Sequence, residues 1–259
     1  IPMTYSADLV PGTVTLVGGG PGDPGLLTVA GLEAVRQADV ILYDRLAPAV
    51  VMDENPQAER IPVGKVPRGP YVPQERINEL LIEHAKAGRK VVRLKGGDSF
   101  VFGRGGEEWQ ACVAAGVPVR IIPGVTSCVA GPELVGIPLT HRHMVQGFTV
   151  VSGHVAPGDT RSELDWAQIA KTGTTLVILM GVAHIDGIAA RLMDGGLAGD
   201  TPVAIIADAS LPTQRFLTTT LEKAADDMAD AEIKPPAITV VGDVAGLDLD
   251  KTQVHEPSD

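Results

Sequence analysis

The sequence predicts an α/β protein of two α/β domains. Short β-branched runs alternate with helical patterns, the alternation occurs as two series, and a Pro-containing segment separates them. In the first series, VTLV (14–17), VILY (40–43), VVRL (91–94) and VRII (119–122) are apolar runs of buried-strand length. Between them, TVAGLEAVRQA, PQERINELLIEHAKAG and EEWQACVAAG repeat apolar residues at helical spacing. The second series holds FTVVS (148–152), TLVILM (175–180), PVAII (202–206) and AITVV (237–241), with helical stretches near 183–194 and 221–230. Strands alternating with helices imply a largely parallel core sheet. The dividing segment, 123–147, contains PGVTS, a short apolar helix and the turn GIPLTHRH. The expected domains are therefore 13–122 and 123–248, with 249–259 a disordered tail.

Composition narrows the function classes. A chain of 259 residues can bury two cores. With 44% hydrophobic and 20% charged residues it reads as a soluble globular protein, and at 3% aromatics its core must rest on Val, Leu, Ile and Ala. No apolar run approaches the roughly 18–20 residues that span a bilayer, and no basic-then-apolar leader opens the chain, so no membrane partner is expected. The chain begins at Ile1 rather than Met, as a processed or excised chain would. A net charge of −11 argues against a nucleic-acid partner, while leaving a small anionic ligand open because the local field at a cleft matters more. Cys112 and Cys128 stand in apolar helical contexts without CxxC spacing, which fits buried reduced thiols and a cytoplasmic setting.

Ligands of open α/β sheets bind beyond the carboxyl ends of the strands, and two Gly-rich stretches fall there. VGGGPGDPGLLT (17–28) follows the first strand. Gly20, Gly22 and Gly25 satisfy G-x-G-x-x-G, and Asp44 ends the next strand where a ribose-binding acid would stand. Pro21 and Pro24 interrupt that pattern, each removing a backbone N–H from the turn that must cradle a pyrophosphate. Two readings stay open: a nicotinamide or flavin site, or a tight strand-to-helix turn with Thr28 as N-cap. The second stretch, RLKGGDSFVFGRGGEE (93–108), contains no G-x-x-x-x-G-K-[ST], which argues against ATP as a phosphoryl donor. Gly96 and Gly97 allow close backbone approach to a ligand, Asp98 offers acceptors, and Arg104, Glu107 and Glu108 add charge. His141 and His143 accompany no HExxH or carboxylate-completed set, so no metal is expected.

Eight motifs in one order carry a family resemblance: GGGPGDPGLLT, YDRL (43–46), VGK (63–65), VPQERIN, RLKGGDSFVFGRGGEE, PGVTS, GIPLTHR and LMGV (179–182). Together, from about Val14 to Val244, they resemble the tetrapyrrole methylases, and most closely the branch acting on uroporphyrinogen III. The resemblance implies two α/β domains with a donor site in the cleft between them, and commonly a homodimer. It implies S-adenosyl-L-methionine-dependent methylation of uroporphyrinogen III at C2 and C7, giving precorrin-2 for sirohaem or cobalamin and releasing S-adenosyl-L-homocysteine. By the same resemblance Pro21, Gly96, Gly97, Asp98, Val101, Thr126, Ser127, Met180 and Ala209 line the donor site. Arg104 and Arg142 match substrate-binding positions, and Glu107 a carboxylate that orients Arg104 or takes part in proton removal. Asp44 matches the proton acceptor and Lys65 the proton donor.

The chemistry suits those residue types. Methyl transfer from a sulfonium is an in-line displacement that requires alignment and management of one proton, but no metal. A polycarboxylate acceptor calls for arginines with paired hydrogen bonds. Three departures from the family pattern bear on donor affinity: Gly19 for Ala, Ser99 for Pro, and Asp208-Ala209-Ser210 for Asn-Gly-Thr. The alternatives are a later precorrin methylase of the cobalamin pathway and, more remotely, an NAD(P)-dependent oxidoreductase.

Overall fold

The computed structural model describes residues 8–64 and 72–249; Lys65 and the tail from residue 250 lie outside the described residues. Two compact units meet in the chain between Ser127 and Cys128, so segment 123–127 joins the first unit rather than opening the second. Each unit is built on its own five-stranded sheet.

The first unit holds β1 (Val14–Gly18), α1 (Val29–Gln37), β2 (Val40–Tyr43), β3 (Glu59–Pro62), α2 (Gln74–Lys86), β4 (Val91–Lys95), α3 (Gly105–Ala114) and β5 (Val119–Ile122). Its sheet has the order β3-β2-β4-β1-β5 and is parallel throughout. Side-chain alternation along the strands sends Val17, Ile41, Val92 and Leu94 to one face, against Ala34 and Val35 of α1. Val14, Leu16, Leu42 and Val91 face the other way, against Ile77 and Leu81 of α2 and Cys112 of α3. Two covered faces are why these strands read as short apolar runs without polar alternation. The sequence reading missed β3, whose ERIP is largely exposed and ends in Pro62, the signature of an edge. Thr28 caps α1, its Oγ1 accepting from Gly31 N at 3.0 Å.

The second unit holds α4 (Ser127–Glu133, whose first residue closes the first unit), β6 (Phe148–Ser152), α5 (Trp166–Ile169), β7 (Thr175–Leu179), α6 (Ile185–Asp194), β8 (Pro202–Ala207), β9 (Arg215–Thr220), α7 (Ala224–Asp230) and β10 (Ala237–Val241). The expectation of parallel pairing fails here. The order is β6-β7-β10-β8-β9, and only β6 and β7 run parallel; β10 is antiparallel to β7 and β8, and β8 to β9. A short connection between β8 and β9 permits only an antiparallel return. Apolar runs such as AITVV carry no information about direction. The reading also missed β9, RFLTTT, because its side chains are exposed or half-buried rather than core. Leu176, Ile178, Val203 and Ile205 form the core with Ile188 and Leu192 of α6 and Met228 of α7. Cys112 and Cys128 are buried and are not joined in a disulfide. Among the described residues no helix is long and apolar enough to cross a membrane.

Candidate functional site

Three loops beyond β1, β4 and β5 of the first sheet lock together. Gly20 N donates to Gly97 O at 3.1 Å and Gly97 N to Gly20 O at 2.6 Å, while Gly19 N donates to Lys95 O at 2.6 Å. The loop after β5 closes on them: Gly124 N donates to Asp98 Oδ2 at 3.0 Å. A Cβ on Gly124 would stand 2.4 Å from Gly97 O and 2.6 Å from Gly18 Cα, so only glycine fits. Gly97 has φ +65° and packs beside Thr126 and Ser127. The fold thus brings Pro21, Gly96, Gly97, Asp98, Thr126 and Ser127 into one loop cluster at the carboxyl ends of β1, β4 and β5.

This geometry argues against a dinucleotide site. Within the motif, Gly20 N already donates to Gly97 O and Gly25 N to Asp23 Oδ1, while Pro21 and Pro24 have no N–H to offer a pyrophosphate. The Gly19 substitution is also not neutral, because a Cβ there would lie 2.5 Å from Pro48 Cδ and 2.8 Å from Lys95 O. Asp98 acts first as a loop organiser, with Oδ1 accepting from Phe100 N at 2.8 Å and Oδ2 from Gly124. A carboxylate has lone pairs left for a ligand after two such bonds. Ser99 is fully buried, and its Oγ has no hydrogen-bond partner among the described residues.

The same loop runs on into α3. Arg104, in the left-handed region at φ 57°, precedes the helix, and its guanidinium grips Glu107 with Nε–Oε1 at 3.0 Å and Nη2–Oε2 at 2.6 Å. That hydrogen-bonded guanidinium holds the Glu107 carboxyl below its ordinary range. The pair is half-exposed, so its value lies in orienting Arg104 more than in stability.

Asp44 follows β2 and touches the Gly96–Gly97 loop directly. Its Oδ1 accepts from Leu46 N at 3.2 Å and Gly96 N at 3.3 Å, and its Oδ2 lies 3.7 Å from Arg93 Nη2. Behind it is a buried charge cluster that the sequence reading missed. Arg93 and Lys95, on one face of β4, both bond Glu108 of α3: Arg93 Nε–Oε1 at 3.0 Å, and Lys95 Nζ to Oε1 and Oε2 at 3.0 and 3.1 Å. Gln74 of α2 adds a weak bond at 3.4 Å. A signal was present: two cations two residues apart in an otherwise apolar strand share a face and demand a buried counter-charge.

In the second unit, Met180 follows β7 with φ 58° and stands 45% exposed, far more than a core methionine. Ala209 follows β8 between Asp208 (φ 50°) and Ser210 (φ 70°). Arg142 is exposed in a turn closed by His141 and Val145, beside His143 at φ 70°, and it helps line a shallow pocket spanning 140–146. Among the described residues seven non-glycines have positive φ: Phe102, Arg104, His143, Met180, Asp208, Ser210 and Glu232. All but Glu232 are, or adjoin, a residue expected at the donor or acceptor site, and strained backbone of this kind concentrates at ligand sites. Lys65 is the one expected site residue outside the described residues. No group of three His, Cys, Asp or Glu among the described residues is arranged to hold a metal.

Comparison with known proteins gives a consistent picture. The S-adenosyl-L-methionine-dependent uroporphyrinogen III methyltransferase of Methanosarcina barkeri is 46% identical over 237 residues, covering 91% of this chain and 93% of that one. The chain also matches siroheme synthases, of which it spans about half the length, as in the Acinetobacter baylyi protein (51%). Among solved structures, the uroporphyrin-III C-methyltransferase of Thermus thermophilus complexed with S-adenyl homocysteine superposes with TM-score 0.76 at 41% identity, covering 90% of this chain and 92% of that one. A cobalt precorrin-4 methyltransferase of cobalamin biosynthesis superposes with TM-score 0.81 at 27% identity, covering 90% and 96%. The model of the tetrapyrrole (corrin/porphyrin) methylases matches residues 13–225. By these matches and by its two-sheet architecture, the chain belongs to the tetrapyrrole methylase family.

Proposed function

We propose that this chain methylates uroporphyrinogen III at C2 and C7, using S-adenosyl-L-methionine, and so forms precorrin-2 for sirohaem or cobalamin synthesis. The observation that carries the reading is the 46% identity, over 91% of this chain, to the uroporphyrinogen III methyltransferase of Methanosarcina barkeri; the left-handed non-glycine backbone at the expected donor and acceptor positions fits a ligand site there. The donor supplies an electrophilic methyl group on a sulfonium. Gly96 and Gly97 shape the loop beside it, a Cβ on Gly96 meeting Leu46 Cβ and O at 2.8 Å, with Asp98, Thr126 and Ser127 as polar neighbours and Pro21 and Ala209 as backbone contacts. Val101 and the exposed Met180 suit the adenine. Arg104, oriented by Glu107, and Arg142 bind carboxylates of the acceptor. Asp44 receives the proton lost when a ring carbon gains its methyl group, and Lys65 is assigned the donor role by its place in VGK.

A second reading, a later precorrin methylase, rests on the fold shared with the cobalt precorrin-4 methyltransferase. YDRL, VGK and the long RLKGGDSFVFGRGGEE stretch favour the first. We further propose a cytoplasmic homodimer: the absence of a disulfide between the two buried cysteines supports the compartment, and the family resemblance supports the dimer. Incubation with uroporphyrinogen III and S-adenosyl-L-methionine, followed by mass spectrometry, is expected to show mono- and dimethylated products; their absence refutes the reading. Calorimetry is expected to show tight S-adenosyl-L-homocysteine binding and no response to NAD(P)H.

A further inference from the structure

We infer that Arg93, held in place by Glu108, is a positioning residue for Asp44. The inference rests on Asp44 serving as proton acceptor in the reaction proposed above. Strand alternation turns Arg93 and Lys95 toward the α2–α3 face, where their side chains are 4% exposed and Glu108 is 0% exposed. Buried cations require partners, and one carboxylate cannot balance two of them. Asp44 is the second carboxylate. At 28% side-chain exposure it is the one member of this balanced set that reaches outward.

Every edge of the Arg93 guanidinium is directed. Nε bonds Glu108 at 3.0 Å, Nη1 donates to Leu94 O at 3.2 Å and Leu42 O at 3.4 Å, and Nη2 faces Asp44 at 3.7 Å. Lysine cannot reproduce that planar fork. Lys95 completes the anchor on the second oxygen of Glu108. Burial and the nearby Arg93 charge push its ammonium below the usual lysine range, opposed by Glu108. Consecutive residues of α3 therefore do separate work. Glu107 points outward to Arg104, while Glu108 points inward and ties the same helix to the strand beneath Asp44.

The test is a double-mutant cycle in the full chain: Arg93→Lys, Asp44→Asn and both together, measuring kcat and KM for uroporphyrinogen III methylation and the calorimetric affinity for S-adenosyl-L-homocysteine. Arg93→Lys is expected to lower kcat roughly tenfold, with KM and S-adenosyl-L-homocysteine affinity unchanged within about twofold. Adding it to Asp44→Asn is expected to lower kcat no further. An additive loss in the double variant overturns the inference and leaves the role of Asp44 intact. Full turnover by Asp44→Asn instead removes Asp44 from the chemistry, and the positioning role falls with it. Should Arg93→Lys fail to fold, Glu108→Gln runs the same cycle. If neither variant folds, the cluster is a structural element and the inference fails.

Discussion

Glu108 lies against Lys95 with both carboxylate oxygens, at 3.0 and 3.1 Å from Nζ, and almost none of either side chain meets solvent. Removing the carboxylate leaves Lys95 and Arg93 buried without it. Glu108→Ala is therefore expected to destabilise the protein by about 3–5 kcal/mol, read as a lower midpoint in chemical denaturation. A change under about 1 kcal/mol would show that water or rearrangement replaces the pair.

Gly124 meets Gly18 and Gly97 backbone to backbone, so Gly124→Ala can be relieved only by parting the loops after β1, β4 and β5. The expected loss is about 1–3 kcal/mol of stability, accompanied by weaker S-adenosyl-L-homocysteine binding. Gly116→Ala serves as the contrast. A Cβ there meets nothing within 4 Å, although its φ of +75° still carries left-handed strain. It is expected to lose stability without losing ligand affinity.

Ser99 carries a buried hydroxyl without a partner among the described residues, where the family pattern has proline. Ser99→Ala removes an unsatisfied polar group and keeps the backbone amide. It is expected to raise stability by about 1 kcal/mol, visible as a higher Tm. A lower Tm would mean that the hydroxyl has a bonded partner, such as an ordered water.

The Arg104–Glu107 pair is expected to leave a small acid signature. The hydrogen bond from Arg104 sets the Glu107 carboxyl below its ordinary 4.5, so its contribution is present above that value and lost as pH falls through the lower folded value. Wild type is expected to lose slightly more stability than Glu107→Gln between about pH 5 and pH 3. Half-exposure keeps the difference small. Equal losses in thermal melts across that window would show that the pair does not hold in solution.

The loop framework of the candidate site was legible because its signals are local. Gly97, Asp98, Thr126 and Ser127 sit in loops that end strands recognisable from short apolar runs. The Gly-x-Gly-x-x-Gly pattern misled in one respect, since spacing cannot show that two of its amides, Gly20 and Gly25, donate to Gly97 O and Asp23 Oδ1. Arg104 and Glu107 are three residues apart at a helix start, so their pairing is a short-range event. Glu108 looked like one more loop charge because its partners lie 13 and 15 residues away on another element.

Residue pattern alone determined most of the strands and helices and the Gly-rich loops after β1 and β4, because each depends on neighbours within a few positions. Tertiary packing decided the antiparallel placement of β10, the inward turn of Glu108 and the left-handed backbone at Arg104, Met180 and Asp208. An apolar run is equally buried in either strand direction, a charge changes meaning once a partner reaches it across the fold, and strained backbone persists only where surrounding contacts hold it.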